Sequence, residues 1–262
     1  MKKITVDVKE NAIISTDEKG EETRIPLYSQ EGFKLLSAIW LKQEWNQLHW
    51  QSFSWMGFPI LQFPEDLLRL QEVIVSLKPD VIIETGTYRC GTAIFFASLC
   101  RLAGKGRVIS IDKEIASAAR QAVEQSSFSD LITLIEGDST SDDVIKRIRN
   151  SVKPDKKVFV FLDSDHSKTH VLHELNAYAA MVTPESYIVA ADGVMRSLAD
   201  TPRGHKEWKD DNPTVAAQEF VKNHPEFKIE RPQALFNDQC VVEELTYWPG
   251  AWIKRIGKQN YL

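Results

Sequence analysis

The stretch VIIETGTYRCGTAIFFASL, residues 81–99, constrains this chain more than any other. Val81-Ile82-Ile83 reads as a buried strand and Glu84 follows it. Gly86 and Gly91 mark a tight turn, and Thr92-Ala93-Ile94-Phe95-Phe96-Ala97 reads as an apolar helix. A strand that enters a helix through a glycine turn leaves free backbone amides at the helix N-terminus. Such amides hold polar or anionic groups, so a nucleotide-like ligand is expected on this turn.

The surrounding pattern repeats that alternation. A helix at about 65–77 precedes strand 80–84, helix 92–103, strand 107–111 and helix 113–125. Strand 131–136, helix 141–150, strand 157–162, helix 168–181 and strand 187–191 follow. Strands separated by helices of this length imply an α/β fold with a doubly wound, mostly parallel sheet. The runs VFVFL and YIVAA are continuously apolar, as strands covered on both faces must be. After Asp192 a polar loop reaches Pro213. A helix at 214–224 and strands at 227–231, 239–245 and 250–256 predict an antiparallel C-terminal edge hairpin. Residues 3–27 alternate weakly and break at Lys19-Gly20, which predicts a hairpin or extended arm. Trp40, Trp45, Trp50 and Trp55 recur every five residues, a spacing that fits no single helix face. Residues 1–60 are therefore expected to form an arm and helical cap, and residues 61–262 the ligand-binding domain.

With 262 residues and a net charge of -5 the chain is an unsuitable partner for nucleic acid phosphates. Cys90, Cys100 and Cys240 show no paired spacing and read as reduced thiols. No leader pattern is visible and no run approaches the ~20 apolar residues of a membrane span. A cytoplasmic protein without a membrane span is expected, with the aromatic N-terminal region as a candidate contact in a homo-oligomer.

Three cofactors can be tried on the turn. ATP needs a lysine after the second glycine, and Thr92-Ala93 stands there. A dinucleotide needs a middle glycine so that the backbone can approach the pyrophosphate, and Tyr88 occupies that position. The third frame, E-x-G-x-x-x-x-G, makes no demand for a pyrophosphate. Its Glu84 carboxylate could accept from an ammonium group or balance a sulfonium, which fits S-adenosylmethionine. The cofactor set is then Glu84, Gly86, Thr87, Tyr88, Gly91 and Thr92. Asp112, ending the next strand, is placed for the ribose hydroxyls, and Asp138 with Ser139 for the adenine end.

A second constellation lies in FVFLDSDHSKTH and YIVAADGV, whose strands end in Asp163 and Asp192. Two carboxylates at adjacent strand ends suit a hard cation such as Mg²⁺, which lowers the pKa of a neighbouring hydroxyl. His166, His170 and His173 are spaced to share one helix face, and His170 and His173 are expected at its surface.

Together KPDVIIETGTYRCGTAIFFASL, ISID, EGDS, LDSDHS, ADG and YWPGAWIKRI resemble the cephalosporin hydroxylase family of class I S-adenosylmethionine-dependent methyltransferases, Rossmann-like enzymes that include rhamnosyl O-methyltransferases. The resemblance covers roughly residues 55–255. It implies O-methyl transfer to a small hydroxylated acceptor, a sugar or secondary metabolite, often with Mg²⁺. It also implies Asp163 and Asp192 as metal ligands and His166, beside Asp163, as general base. Relatives carry two adjacent acidic residues where this chain has Ala191-Asp192, so Asp165 is the expected substitute ligand, or His166 works without metal. The alternatives are a nicotinamide-dependent oxidoreductase and a non-catalytic cofactor-binding partner.

Overall fold

The computed structural model describes residues 3–257. Residues 1–2 and 258–262, the outer ends of the two expected segments, lie outside the described residues. The chain opens with a three-stranded antiparallel sheet of β1 (Lys3–Asp7), β2 (Ala12–Thr16) and β3 (Glu22–Pro26), one strand more than a hairpin. Helix α1 (Gln30–Asn46) follows, capped by Ser29, whose hydroxyl accepts the Gly32 amide at 3.0 Å. A short hairpin of β4 (Ser54–Trp55) and β5 (Phe58–Pro59) completes the segment. The five-residue tryptophan spacing has a simple origin: the four rings sit on three kinds of element. Trp40 and Trp45 lie on α1, Trp50 on a 3-10 turn and Trp55 on β4. Trp45 stacks on Trp50 at 5.5 Å and meets Tyr247 edge-on, while the Trp55 indole donates to Ser98 Oγ at 3.0 Å. These contacts seat the cap on the main sheet.

The remaining elements are α2 (Pro64–Leu77), β6 (Val81–Thr85), α3 (Gly91–Leu102), β7 (Arg107–Asp112), α4 (Ser117–Gln125), β8 (Ile132–Glu136), α5 (Asp142–Ser151), β9 (Val158–Leu162), α6 (Lys168–Tyr178), β10 (Tyr187–Ala190), α7 (Met195–Leu198), α8 (Pro213–Asn223), β11 (Phe227–Ile229) and β12 (Trp252–Arg255). Seven strands form one sheet in the order β11-β12-β10-β9-β6-β7-β8. Strands β6 to β10 pair in parallel, and β12 runs antiparallel to both β10 and β11. Alternation along each strand splits the core between two faces. Ile82, Phe159 and Phe161 pack with α2 and α3, whereas Val81, Ile83 and Val160 pack with α5, α6 and α8. This is the doubly wound α/β sheet with the antiparallel edge that the pattern predicts.

The expected strand at 239–245 does not form. Strand β12 pairs with β10 on one side and β11 on the other, so it has no side left for a hairpin partner from 239–245. The segment instead holds a 3-10 turn at Asp238–Cys240, fastened by Arg231 to the Asp238 carboxylate at 2.7 Å. The polar loop after Asp192 is also more ordered than expected. It contains α7 and a 3-10 turn at Lys206–Lys209, and Trp208 there meets Trp45 at 6.1 Å. Helix α6 stops at Tyr178 and a 3-10 turn carries the chain to Met181.

The chain reverses direction across the sheet between β6 and β9, and there the backbone comes very close. Gly86 has φ +90°, and a Cβ on it would lie 1.9 Å from the Asp163 carbonyl oxygen. Substitution Gly86→Ala should therefore destabilise the fold by about 2 kcal/mol or more, read as a lower urea midpoint at unchanged slope.

Candidate active site

The crevice at this switch point opens into a cavity of about 600 Å³ over the carboxyl ends of the parallel strands. Its wall contains Gly86, Thr87, Tyr88, Gly91, Thr92, Asp112, Asp138, Ser139, Asp163, His166 and Asp192. Residues from five segments far apart in sequence thus converge, and they are those selected from the strand ends.

The turn after β6 is held from below. The Gly86 amide donates to the Ile111 carbonyl at 2.8 Å and the Tyr88 amide to Asp112 Oδ2 at 2.8 Å. Tyr88 and Cys90 sit at φ 40° and 64°, left-handed conformations rarely adopted by bulky side chains. The turn thus keeps a glycine-like backbone at Tyr88, while the tyrosine ring projects outward, 61% exposed. The Thr87 and Ser110 hydroxyls lie 2.7 Å apart, and Ser110 donates to Glu84.

Glu84 departs from expectation. It is buried beneath the turn, bonded to Ser110, and does not line the cavity. Burial pushes its carboxyl up to about 8 against the pull of the Ser110 hydroxyl, with Asp112 adding to the rise. Asp138 does line the cavity; its carboxylate accepts the Thr140 amide at 2.8 Å, which holds it below the usual range.

Across the crevice Asp163 and Asp192 leave the neighbouring strands β9 and β10. Gln62, from the segment joining cap to sheet, donates to Asp163 Oδ2 at 2.6 Å. Asp192 takes φ 62°, and its Oδ2 lies 3.5 Å from His166 Nε2. Asp163, His166 and Asp192 each offer an atom within 4.8 Å of the others, a group that could hold a metal ion. The donor set, two carboxylates and an imidazole, fits a divalent cation. Asp165 does not join it, because its carboxylate accepts the Ser167 amide at 2.8 Å. Ala191 is buried in the apolar core.

The three histidines do not share a helix face. Helix α6 begins after Ser167, which caps it, so His166 lies in the preceding loop. His173 is exposed as expected, but His170 lines the cavity. Its Nε2 is 3.3 Å from Glu174, a fully buried carboxylate that also accepts from Ser139 at 2.6 Å and Ser164 at 2.8 Å. Gln62, Ser164 and Glu174 escaped the sequence argument. The only available signal was the H-x-x-x-E spacing, which places His170 and Glu174 one helical turn apart.

The charge of the wall is strongly one-sided. Asp112, Asp138, Asp163, Asp165 and Asp192 face it, against Arg89 and Lys113. Such a site favours cationic ligands and opposes a diphosphate.

The family model described as rhamnosyl O-methyltransferase/CmcI matches residues 47–256. A rhamnosyl O-methyltransferase of Mycobacterium leprae is 32% identical over 150 residues, which are 55% of this chain and 61% of that protein. One from Mycobacterium tuberculosis is 31% identical over 134 residues, 48% of this chain and 51% of that one. The chain thus spans between half and two thirds of the length of these curated relatives. An apo structure of CmcI aligns over 79% of this chain and 77% of its own with a TM-score of 0.57 and 16% identity. A CmcI structure with Mg and SAM covers 79% and 78%, with a TM-score of 0.52 and 14% identity. These likenesses show the fold. Among the described residues no helix is long and apolar enough to cross a membrane.

Burial, and then the charge of Asp192, raises the Asp163 carboxyl well above its ordinary range. The folded chain therefore holds that proton to higher pH than the unfolded chain does. The stability this contributes is complete at low pH and lost as pH rises through the raised value. Asp163→Asn, which does not titrate, should gain in urea midpoint over the native chain from pH 5 to pH 8.

Proposed function

The chain belongs to the rhamnosyl O-methyltransferase/CmcI family, and from that premise we propose that it transfers the methyl group of S-adenosylmethionine to a hydroxyl oxygen. The observation that carries this reading is the cavity itself: five aspartates against two basic side chains at the switch point of a doubly wound sheet. A sulfonium ion is welcome there, whereas a pyrophosphate is repelled, which disfavours the nicotinamide alternative.

In this reading Gly86, Thr87, Tyr88, Gly91 and Thr92 cradle the donor at the turn. Asp112 takes the ribose hydroxyls, and Asp138 with Ser139 takes the adenine end. Glu84 contributes from beneath by fixing Ser110 and the turn. The acceptor hydroxyl lies by Asp163, His166 and Asp192. Its oxygen forms a bond to the methyl carbon as the carbon–sulfur bond breaks, so the sulfonium leaves as a neutral thioether. His166 takes the hydroxyl proton, and Asp192, 3.5 Å away, favours the imidazolium that results. Asp163 and Asp192 would hold a Mg²⁺ ion, which when bound would acidify the hydroxyl. Trp50 and Pro59 of the cap, with Leu61 just after it, add an apolar wall for the acceptor, a sugar or secondary metabolite. Much of the rate then comes from alignment of oxygen, carbon and sulfur.

The 4.8 Å grouping favours a second reading of His166, as the third cation ligand. One variant separates the two. As a base, His166→Ala lowers turnover about 100-fold or more and leaves S-adenosylmethionine and Mg²⁺ affinity within about twofold. As a ligand, it loses Mg²⁺ affinity in the same calorimetric titration. Binding of NAD by the native chain with no binding of S-adenosylmethionine would overturn the methyltransferase reading. Binding of S-adenosylmethionine without transfer to any hydroxylated acceptor would leave the non-catalytic partner.

A further inference from the structure

Glu174 is a fully buried carboxylate for which methyl transfer itself has no use. Taking a carboxylate out of water is unfavourable unless donors surround it. The donors here are specific. Ser139 Oγ donates to Oε1 at 2.6 Å and Ser164 Oγ at 2.8 Å, and His170 Nε2 lies 3.3 Å from the same oxygen. Oε2 has no partner among the described residues. His170 Nε2 is also 3.3 Å from each serine hydroxyl.

Proton accounting fixes the ring. Both serines spend their hydrogens on Glu174, so the three oxygens around Nε2 have none to give it. Nε2 therefore carries a hydrogen whether the imidazole is neutral or charged. Nδ1, on the other side of the ring, takes no part in this network, and the ring lines the cavity. The device is rigid: the Ser167 cap accepts the His170 amide at 3.4 Å, and the buried Tyr178 hydroxyl donates to the Ser139 carbonyl at 2.8 Å.

The position follows from the proposed function, on which this inference rests. With the ribose at Asp112 on β7, the base lies beyond it, over the end of β8. Ser139 stands there, in contact with His170. We propose that His170, oriented by Glu174, binds the N1/N6 edge of the cofactor's adenine, with Glu174 as its positioning residue. A neutral ring accepts from the N6 amino group through Nδ1, and a charged ring donates to N1. Glu174 raises the His170 imidazole above its ordinary range, which favours the donor form. Against the donor form at N1, hypoxanthine presents a hydrogen where adenine presents a lone pair, so the charged ring prefers adenine.

The test is calorimetric titration of the full chain with S-adenosylhomocysteine and with S-inosylhomocysteine. The native chain should prefer the adenine ligand by about tenfold or more. His170→Ala should weaken S-adenosylhomocysteine about 10- to 100-fold and bring the two ligands within about threefold of each other. Glu174→Gln should shift the preference in the same direction. If the alanine variant loses its thermal transition, His170→Gln replaces it, because an amide can turn to meet either base and should also erase the preference. Retention of the native preference by a folded His170 variant overturns the inference, as does equal binding of both ligands by the native chain. A native chain that binds neither ligand overturns the cofactor reading itself.

Discussion

The turn after β6 and the end of β9 touch backbone to backbone, and that contact organises the site. Only a residue without a side chain fits at 86, since the Asp163 carbonyl occupies the space a Cβ would take. The contact is possible because the chain leaves β6 in one direction and returns as β9 on its other side. It brings the turn proposed to bind the donor within reach of the carboxylates proposed as catalytic at the ends of β9 and β10. The neighbouring conformations are also unusual: Tyr88, Cys90 and Asp192 all have positive φ. Strain of this kind persists only where surrounding bonds impose it, and here they are the Tyr88–Asp112 bond and the paired strands.

Electrostatics supplies the second constraint. Glu84, Asp163 and Asp192 are held where burial disfavours their charged forms, and Asp163 and Asp192 repel each other besides. A fold optimised for stability alone would place neutral residues there. The arrangement makes sense for the proposed ligands, which bring positive charge as a sulfonium and a divalent cation. Binding of those ligands would relieve a tension present in the free chain.

Fold class and most of the cavity lining were legible because both follow from short-range patterns. Apolar runs mark strands, and ligand groups gather at their carboxyl ends, so Asp112, Asp138, Asp163 and Asp192 could be located without coordinates. What escaped depended on pairing across the chain. The strand expected at 239–245 had suitable residues, but both sides of β12 were already taken by β10 and β11, a fact of sheet topology rather than composition. His170 looked like a surface histidine because its partners Ser139 and Ser164 lie on other elements. Glu84 carried the right charge at the right strand end, yet Ser110 on the adjacent strand claimed it.

Gln62 is 101 positions from the Asp163 carboxylate it holds, and it comes from the chain that descends from the cap. Trp50, Pro59 and Leu61 of the same stretch face the cavity, while the turn after β6 and the end of β7, proposed to hold the donor and its ribose, belong wholly to the sheet. The molecule therefore divides its labour along the sequence. On the proposed function, drift within the cap would reshape the room given to an incoming hydroxyl compound while leaving the residues proposed for the methyl donor in place. A lineage built this way can acquire new customers for one unchanging reagent, provided each new cap still delivers an amide to Asp163.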